Sequence, residues 1–131
     1  MDTLKDNISK AQSLIKINNF NKAIEIFETL NGNFKNNVEV LINLAGAYRS
    51  IGKFEKSLLT YKKIIEIDPN NCLAHRLVSS LNNYKEKNEN LKEMEKLILE
   101  NNINEREKIE LSFALGKAYA DLEDFEKSHY Y

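Results

Sequence analysis

Apolar residues recur along this chain every three or four positions, the spacing that gathers them on one face of an α-helix. Leu4, Ile8, Ala11 and Leu14 or Ile15 predict a first helix from about Leu4 to Ile17, with Thr3 as cap and Asp6 in capping-box position. Asn18 and Asn19 end it. Phe20, Ala23, Ile24, Phe27 and Leu30 predict a partner helix from Phe20 to about Leu30, with Gly32 taking the left-handed stop. In the next pair, Leu41, Leu44, Ala45, Tyr48 and Ile51 form a stripe that Gly52 terminates. Phe54, Ser57, Leu58, Tyr61, Ile64 and Ile65 form the following one, and Pro69 blocks its continuation. Ala45 and Ser57 are small where these two helices must approach closely, and Tyr48, Phe54 and Tyr61 are expected to fill the space around that contact.

The third pair is irregular. Ala74, Leu77, Val78 and Leu81 predict a helix from about Cys72 to Tyr84, but the segment from Lys85 to Asn90 is wholly polar. The next helix, about Glu89 to Glu100, presents Leu91, Met94, Leu97 and Ile98 from an Asn88 cap and lacks an opening aromatic-plus-small signature. A second capping box, Asn104 with Glu107, starts the last pair, whose first helix carries Ile109, Ser112, Leu115, Gly116, Tyr119 and Leu122. Phe125 and Ser128 begin its partner.

These pairs are repeats of one another. Phe54-Glu55-Lys56-Ser57 returns unchanged as Phe125-Glu126-Lys127-Ser128, and Leu44-Ala45-Gly46-Ala47-Tyr48 returns as Leu115-Gly116-Lys117-Ala118-Tyr119. A third relative, Phe20-Asn21-Lys22-Ala23, lies 34 residues before the first. Tyr48 and Tyr119 are 71 residues apart, two such periods plus three, so the third unit holds an insertion. A two-helix unit of this length cannot bury its apolar face without neighbours. The expected fold is therefore all-α: an α-solenoid of antiparallel helix hairpins, a single superhelical domain over residues 1–131. Its repeats are expected at about 4–36, 37–70, 71–103 (irregular) and 104–131 (incomplete). The incomplete last repeat implies a longer polypeptide or a fraying end, and an uncapped end open to self-association.

Composition narrows the class. With 42% apolar and 30% charged residues the chain can offset its folding entropy, so general disorder is excluded. Nineteen Lys and Arg against 20 Asp and Glu leave no long-range field for nucleic acid or an anionic membrane. No apolar run is long enough to span a bilayer, and the N-terminus, with Asp2 and Asp6, lacks a signal peptide's basic and apolar blocks. Cys72 is the only cysteine, which excludes an internal disulfide and fits a reducing cytoplasm. His75 and His129 are 54 residues apart and Cys72 has no second thiol nearby, so no metal-ligand spacing exists. The four glycines stand outside any phosphate-binding pattern. Neither catalytic residues nor a cofactor site is expected, and Tyr48, Tyr61, Tyr84 and Tyr119 are expected in the core with hydroxyls at its edge.

The order Leu41, Leu44, Ala45, Tyr48, Gly52, Phe54, Ser57, Tyr61, Ile64 and Pro69 resembles the tetratricopeptide repeat, which residues 4–71 and 109–131 follow and 72–108 depart from. The resemblance implies a protein-protein interaction scaffold, binding a peptide or a neighbouring domain of its own chain. In that family the first helix of each unit lines the concave face. The implied groove contains Lys5, Ile8, Gln12, Lys16, Glu39, Asn43, Arg49, Arg76, Ser80 and Asn83. One branch grips chaperone C-termini with lysine, asparagine, asparagine, lysine and arginine; the matching positions here are Ile8, Gln12, Asn43, Leu73 and Leu77, and only Asn43 agrees. A narrower resemblance, carried by Ala74-His75-Arg76-Leu77, Met94-Glu95 and the stretch from Leu111 to Phe125, is to the repeat region of bacterial tetratricopeptide-repeat sulfotransferases. It implies an alternative in which these residues precede a separate catalytic domain.

Overall fold

The computed structural model describes residues 3–131, and among them eight α-helices follow one another with no strand. They form two compact units, Met1–Pro69 and Asn70–Tyr131. Each is built from two helix hairpins.

The first unit comprises α1 (Leu4–Lys16), α2 (Phe20–Asn33), α3 (Val38–Ser50) and α4 (Phe54–Ile67). The Thr3 side chain accepts the Asp6 amide while the Asp6 carboxylate accepts the Thr3 amide, closing the expected capping box. Asn18 (φ 61°) turns the chain into α2, and Gly52 (φ 79°) ends the α3 turn in the left-handed region that its missing Cβ permits. The α2 terminus differs from expectation. The helix runs through Gly32 to Asn33, and the left-handed residue is Asn36 (φ 65°), a residue type whose short polar side chain tolerates that region.

Ile8, Ala11, Ala23, Ile24, Phe27, Leu30, Val40, Leu44, Ala47 and Tyr48 form one core. Ile8 therefore belongs to this core and not to a groove. Between α3 and α4 the expected close approach is present: Ser57 Oγ donates to the Ala45 carbonyl at 2.8 Å, and both residues are fully buried. Tyr48 and Tyr61 fill the surrounding space, which leaves Phe54 outside at 56% exposure.

The second unit comprises α5 (Cys72–Leu81), α6 (Glu89–Ile98), α7 (Glu105–Asp121) and α8 (Phe125–Tyr130). Asn71, Asn88 and Asn104 each cap a helix with their side-chain oxygen. The α5 helix stops three residues before the expected Tyr84, and long-range polar contacts account for it. Asn82 is extended (ψ 159°), its carbonyl accepts the Lys117 ammonium, and the Tyr84 amide donates to Asp121 Oδ2 at 3.1 Å. Tyr84 still enters the core, from a loop. Its hydroxyl donates to Asn90 Oδ1, and the Asn90 amide nitrogen lies 2.9 Å from Nδ1 of the fully buried His75. This polar chain joins α5, the inserted loop and α6.

Leu91, Met94, Leu97, Leu111, Ala114, Leu115, Ala118 and Tyr119 fill the rest of the second core. The short α8 is fastened to α7 by Ser128 Oγ, which donates to the Gly116 carbonyl at 2.8 Å, and Tyr131 stacks on Tyr119 with ring centroids 6.0 Å apart.

Candidate functional site

In the first unit, α1 carries Lys5, Gln12 and Lys16, and α3 carries Glu39, Asn43 and Arg49. Three of these six meet. Gln12 Nε2 donates to Asn43 Oδ1 at 3.2 Å, and Asn43 Nδ2 donates to the Glu39 carbonyl at 2.8 Å. Lys5, Lys16 and Arg49 are exposed on the same two helices. Arg49 acts electrostatically on Tyr61, whose hydroxyl pKa is raised by burial and partly offset by that guanidinium.

In the second unit, Arg76 and Ser80 lie on α5, whereas Asn83 falls in the loop beyond its end. Arg76 and Ser80 line one hollow of about 190 Å³ together with Ser79, Phe113, Ala114 and Lys117. The hollow has a braced floor: Ser79 Oγ donates to the Ala114 carbonyl at 2.7 Å. Arg76 Nη1 donates to Glu110 Oε2 at 3.0 Å, and its guanidinium carbon sits 5.6 Å from the centre of the Phe113 ring. Lys117 is paired with Asp121 one turn on and lies 5.7 Å from the Tyr84 ring centre.

Phe113, Lys117 and Glu110 were not among the residues expected at this face. The repeat register contains them: aligning Phe54-Glu55-Lys56-Ser57 with Phe125-Glu126-Lys127-Ser128 puts Ile42 on Phe113 and Gly46 on Lys117. A second hollow, about 700 Å³, lies between α7 and α8 and is lined by Ile109, Ser112, Phe113, Gly116, Ser128 and Tyr131, with Glu105, Lys108 and Lys117 at its edge. Among the described residues no His, Cys, Asp and Glu cluster is placed to hold a metal ion, and no helix is long and apolar enough to cross a membrane.

Helix hairpins that cross at a small residue, fastened by a serine and edged by tyrosine hydroxyls, define the class: an all-α helix-hairpin repeat protein. A family model described as "Tetratricopeptide repeat" matches residues 10–81, more than half of the chain, and the chain belongs to that family. The family's fold is typically non-catalytic and serves in general as a scaffold for protein interaction. Among curated proteins there is no match. Solved structures with the same fold include the MamA RS-1 ArsTM double mutant, at 20% identity over 95% of this chain and 68% of that one, with a TM-score of 0.73. Another, described as a crystal structure of MamA, shares 21% identity over 98% of this chain and 70% of its own, with a TM-score of 0.70. At such identities the likeness is one of fold.

Proposed function

We propose that this protein is a non-catalytic scaffold that binds a peptide or a folded partner on the first-helix faces of its hairpins: α1 with α3, and α5 with α7. The observation that carries the reading is the pairing of Arg76 with Phe113, which is 64% exposed, over a hollow between two first helices. Arginine and aromatic side chains are the types that dominate binding energy at interfaces. Gln12, Asn43 and Glu39 supply a polar counterpart on the first unit, suited to bonding an extended backbone. A cytoplasmic setting fits a chain whose single cysteine cannot form an internal disulfide.

The test is site-specific photocrosslinking in the source cell, with the crosslinker at Asn43 or Phe113 and a control at Leu59, which is exposed on α4. Protein adducts from the first-helix positions and none from Leu59 are expected. Equal labelling from Leu59 removes the assignment of the face. Asn43→Ala combined with Arg49→Ala should weaken capture of the crosslinked partner and leave thermal unfolding nearly unchanged, since both residues contact solvent and neither lies in the core.

A further inference from the structure

Two hollows adjoin on the second unit, and Phe113 and Lys117 line both. In the smaller one, between α5 and α7, the charged lining residues are Arg76 and Lys117. The larger, between α7 and α8, has Ile109, Phe113 and Tyr131 as its large apolar and aromatic walls and adds Lys108 and Glu105. Three cations thus face one carboxylate in a chain whose net charge is −1.

The neighbouring acids do not cancel this bias, because in each ion pair the cation is the outer partner. The Arg76 side chain is 45% exposed against 14% for Glu110, and Lys117 is 35% exposed against 17% for Asp121. The carboxylates hold the cations from below, and Lys117 is further fixed by the Asn82 carbonyl, so little side-chain freedom remains to be lost when a ligand arrives. Phe113 stands between the two hollows as an apolar ridge. Ile109, 56% exposed, lies one helical turn before it on the same face of α7.

We infer that this face binds an acidic peptide segment in which a glutamate or aspartate neighbours a large apolar residue. The carboxylate meets Arg76 and Lys117, and the apolar side chain enters the α7–α8 hollow against Phe113 and Ile109. Charge complementarity selects the acid, and the exposed aromatic and aliphatic surface selects the neighbour. The inference rests on the first-helix face being the binding surface and adds which chemistry it accepts.

Fluorescence anisotropy on the full chain tests it, using a labelled Gly-Ser peptide that carries one leucine flanked by glutamates. The controls are the same peptide with lysine for glutamate, the same with serine for leucine, and a single-stranded oligonucleotide. Binding of the glutamate-leucine peptide, weakened by salt and about tenfold weaker for either peptide control, is expected. Arg76→Ala and Phe113→Ala should each weaken it by about tenfold with the helical circular-dichroism signal and its melting retained. Equal binding of the lysine peptide, or an oligonucleotide that binds as tightly, overturns the inference by showing no acid rule or charge attraction alone. No binding of the glutamate-leucine peptide while photocrosslinks still form from Phe113 also overturns it, and leaves the first-helix face standing; loss of both removes the two together.

Discussion

The second hairpin, α3 with α4, and the last, α7 with α8, start at residues 71 apart and repeat the same internal contacts atom for atom. Tyr48 donates to Glu28 at 2.6 Å, and Tyr119 donates to Glu95 at 2.7 Å. Ser57 and Ser128 each donate to a carbonyl of the first helix at 2.8 Å. Lys56 sits 5.5 Å from the Tyr48 ring centre, and Lys127 sits 5.2 Å from that of Tyr119. The two differ on the outer face of the first helix: buried Leu41 and half-buried Ile42 are matched by half-buried Ser112 and exposed Phe113. Closing a hairpin thus requires a serine, a tyrosine with a carboxylate partner, and a small residue at the crossing. The remaining face is left open to specialise, and only the last hairpin uses it to expose a ring.

If the two hairpins are equivalent inside, truncating the leucine each buries beside its tyrosine should cost alike. Leu44→Ala and Leu115→Ala are each expected to lose about 2–5 kcal/mol in urea unfolding, the range for a buried leucine that leaves a cavity. A loss at one and none at the other breaks the comparison. Next comes the crossing residue, where the hairpins should diverge. Ala45→Leu overpacks a fully buried contact and should cost about 1–3 kcal/mol. Gly116→Ala adds a Cβ that meets the Ser128 carbonyl oxygen at an ordinary 3.5 Å, so relief of the helical glycine should stabilise by up to about 1 kcal/mol. Destabilisation by Gly116→Ala would show that the last crossing is as tight as the second.

Tyr48→Phe and Tyr119→Phe each delete one hydrogen bond to a carboxylate, and a loss of about 1 kcal/mol apiece is expected from thermal unfolding. The smallest effect is in pH dependence. Burial pushes the Glu95 carboxyl up, but the hydrogen bonds from Lys87 and Tyr119 outweigh it and hold the group below its usual range. A carboxyl depressed on folding contributes fully above its unfolded value, about 4.3, and the contribution is lost as pH falls through the lower folded value. At the alkaline end the sign reverses. Burial and then the bonded carboxylates raise the Tyr48 and Tyr119 hydroxyls, so their contribution is complete below about pH 10 and lost as pH rises through the folded values. Hydrogen exchange should show α7 losing protection in acid more steeply in wild type than in Lys87→Ala. Identical acid profiles would remove Glu95 from the account.

What could be read in advance depended on how far apart the interacting residues lie. The Thr3 and Asn104 capping boxes and the Asn88 cap involve partners three residues away, so local spacing reveals them. The Gly32 stop failed because glycine permits a left-handed turn without demanding one, and Asn36 supplied it instead. The α5 end was illegible for a different reason: Tyr84 leaves the helix for partners at Asp121 and Asn90, which no periodicity near residue 84 announces. For the candidate site, Arg76 and Ser80 were visible on α5, while Phe113 and Lys117 read as ordinary exposed positions until the repeat register is carried onto α7. Pairing an arginine with a ring 37 residues away is a property of packing.

The loop that Tyr84 anchors has one further use. Because Tyr84 and Asn90 secure both ends, Lys85 and Glu86 between them are exposed and carry none of the hydrogen bonds or ion pairs described above. Chain spliced there begins and ends on fixed posts, and each doubling of its length adds only about 0.6 kcal/mol of closure entropy. That makes the site a natural port for grafting an affinity tag or a reporter domain without disturbing the helices on either side.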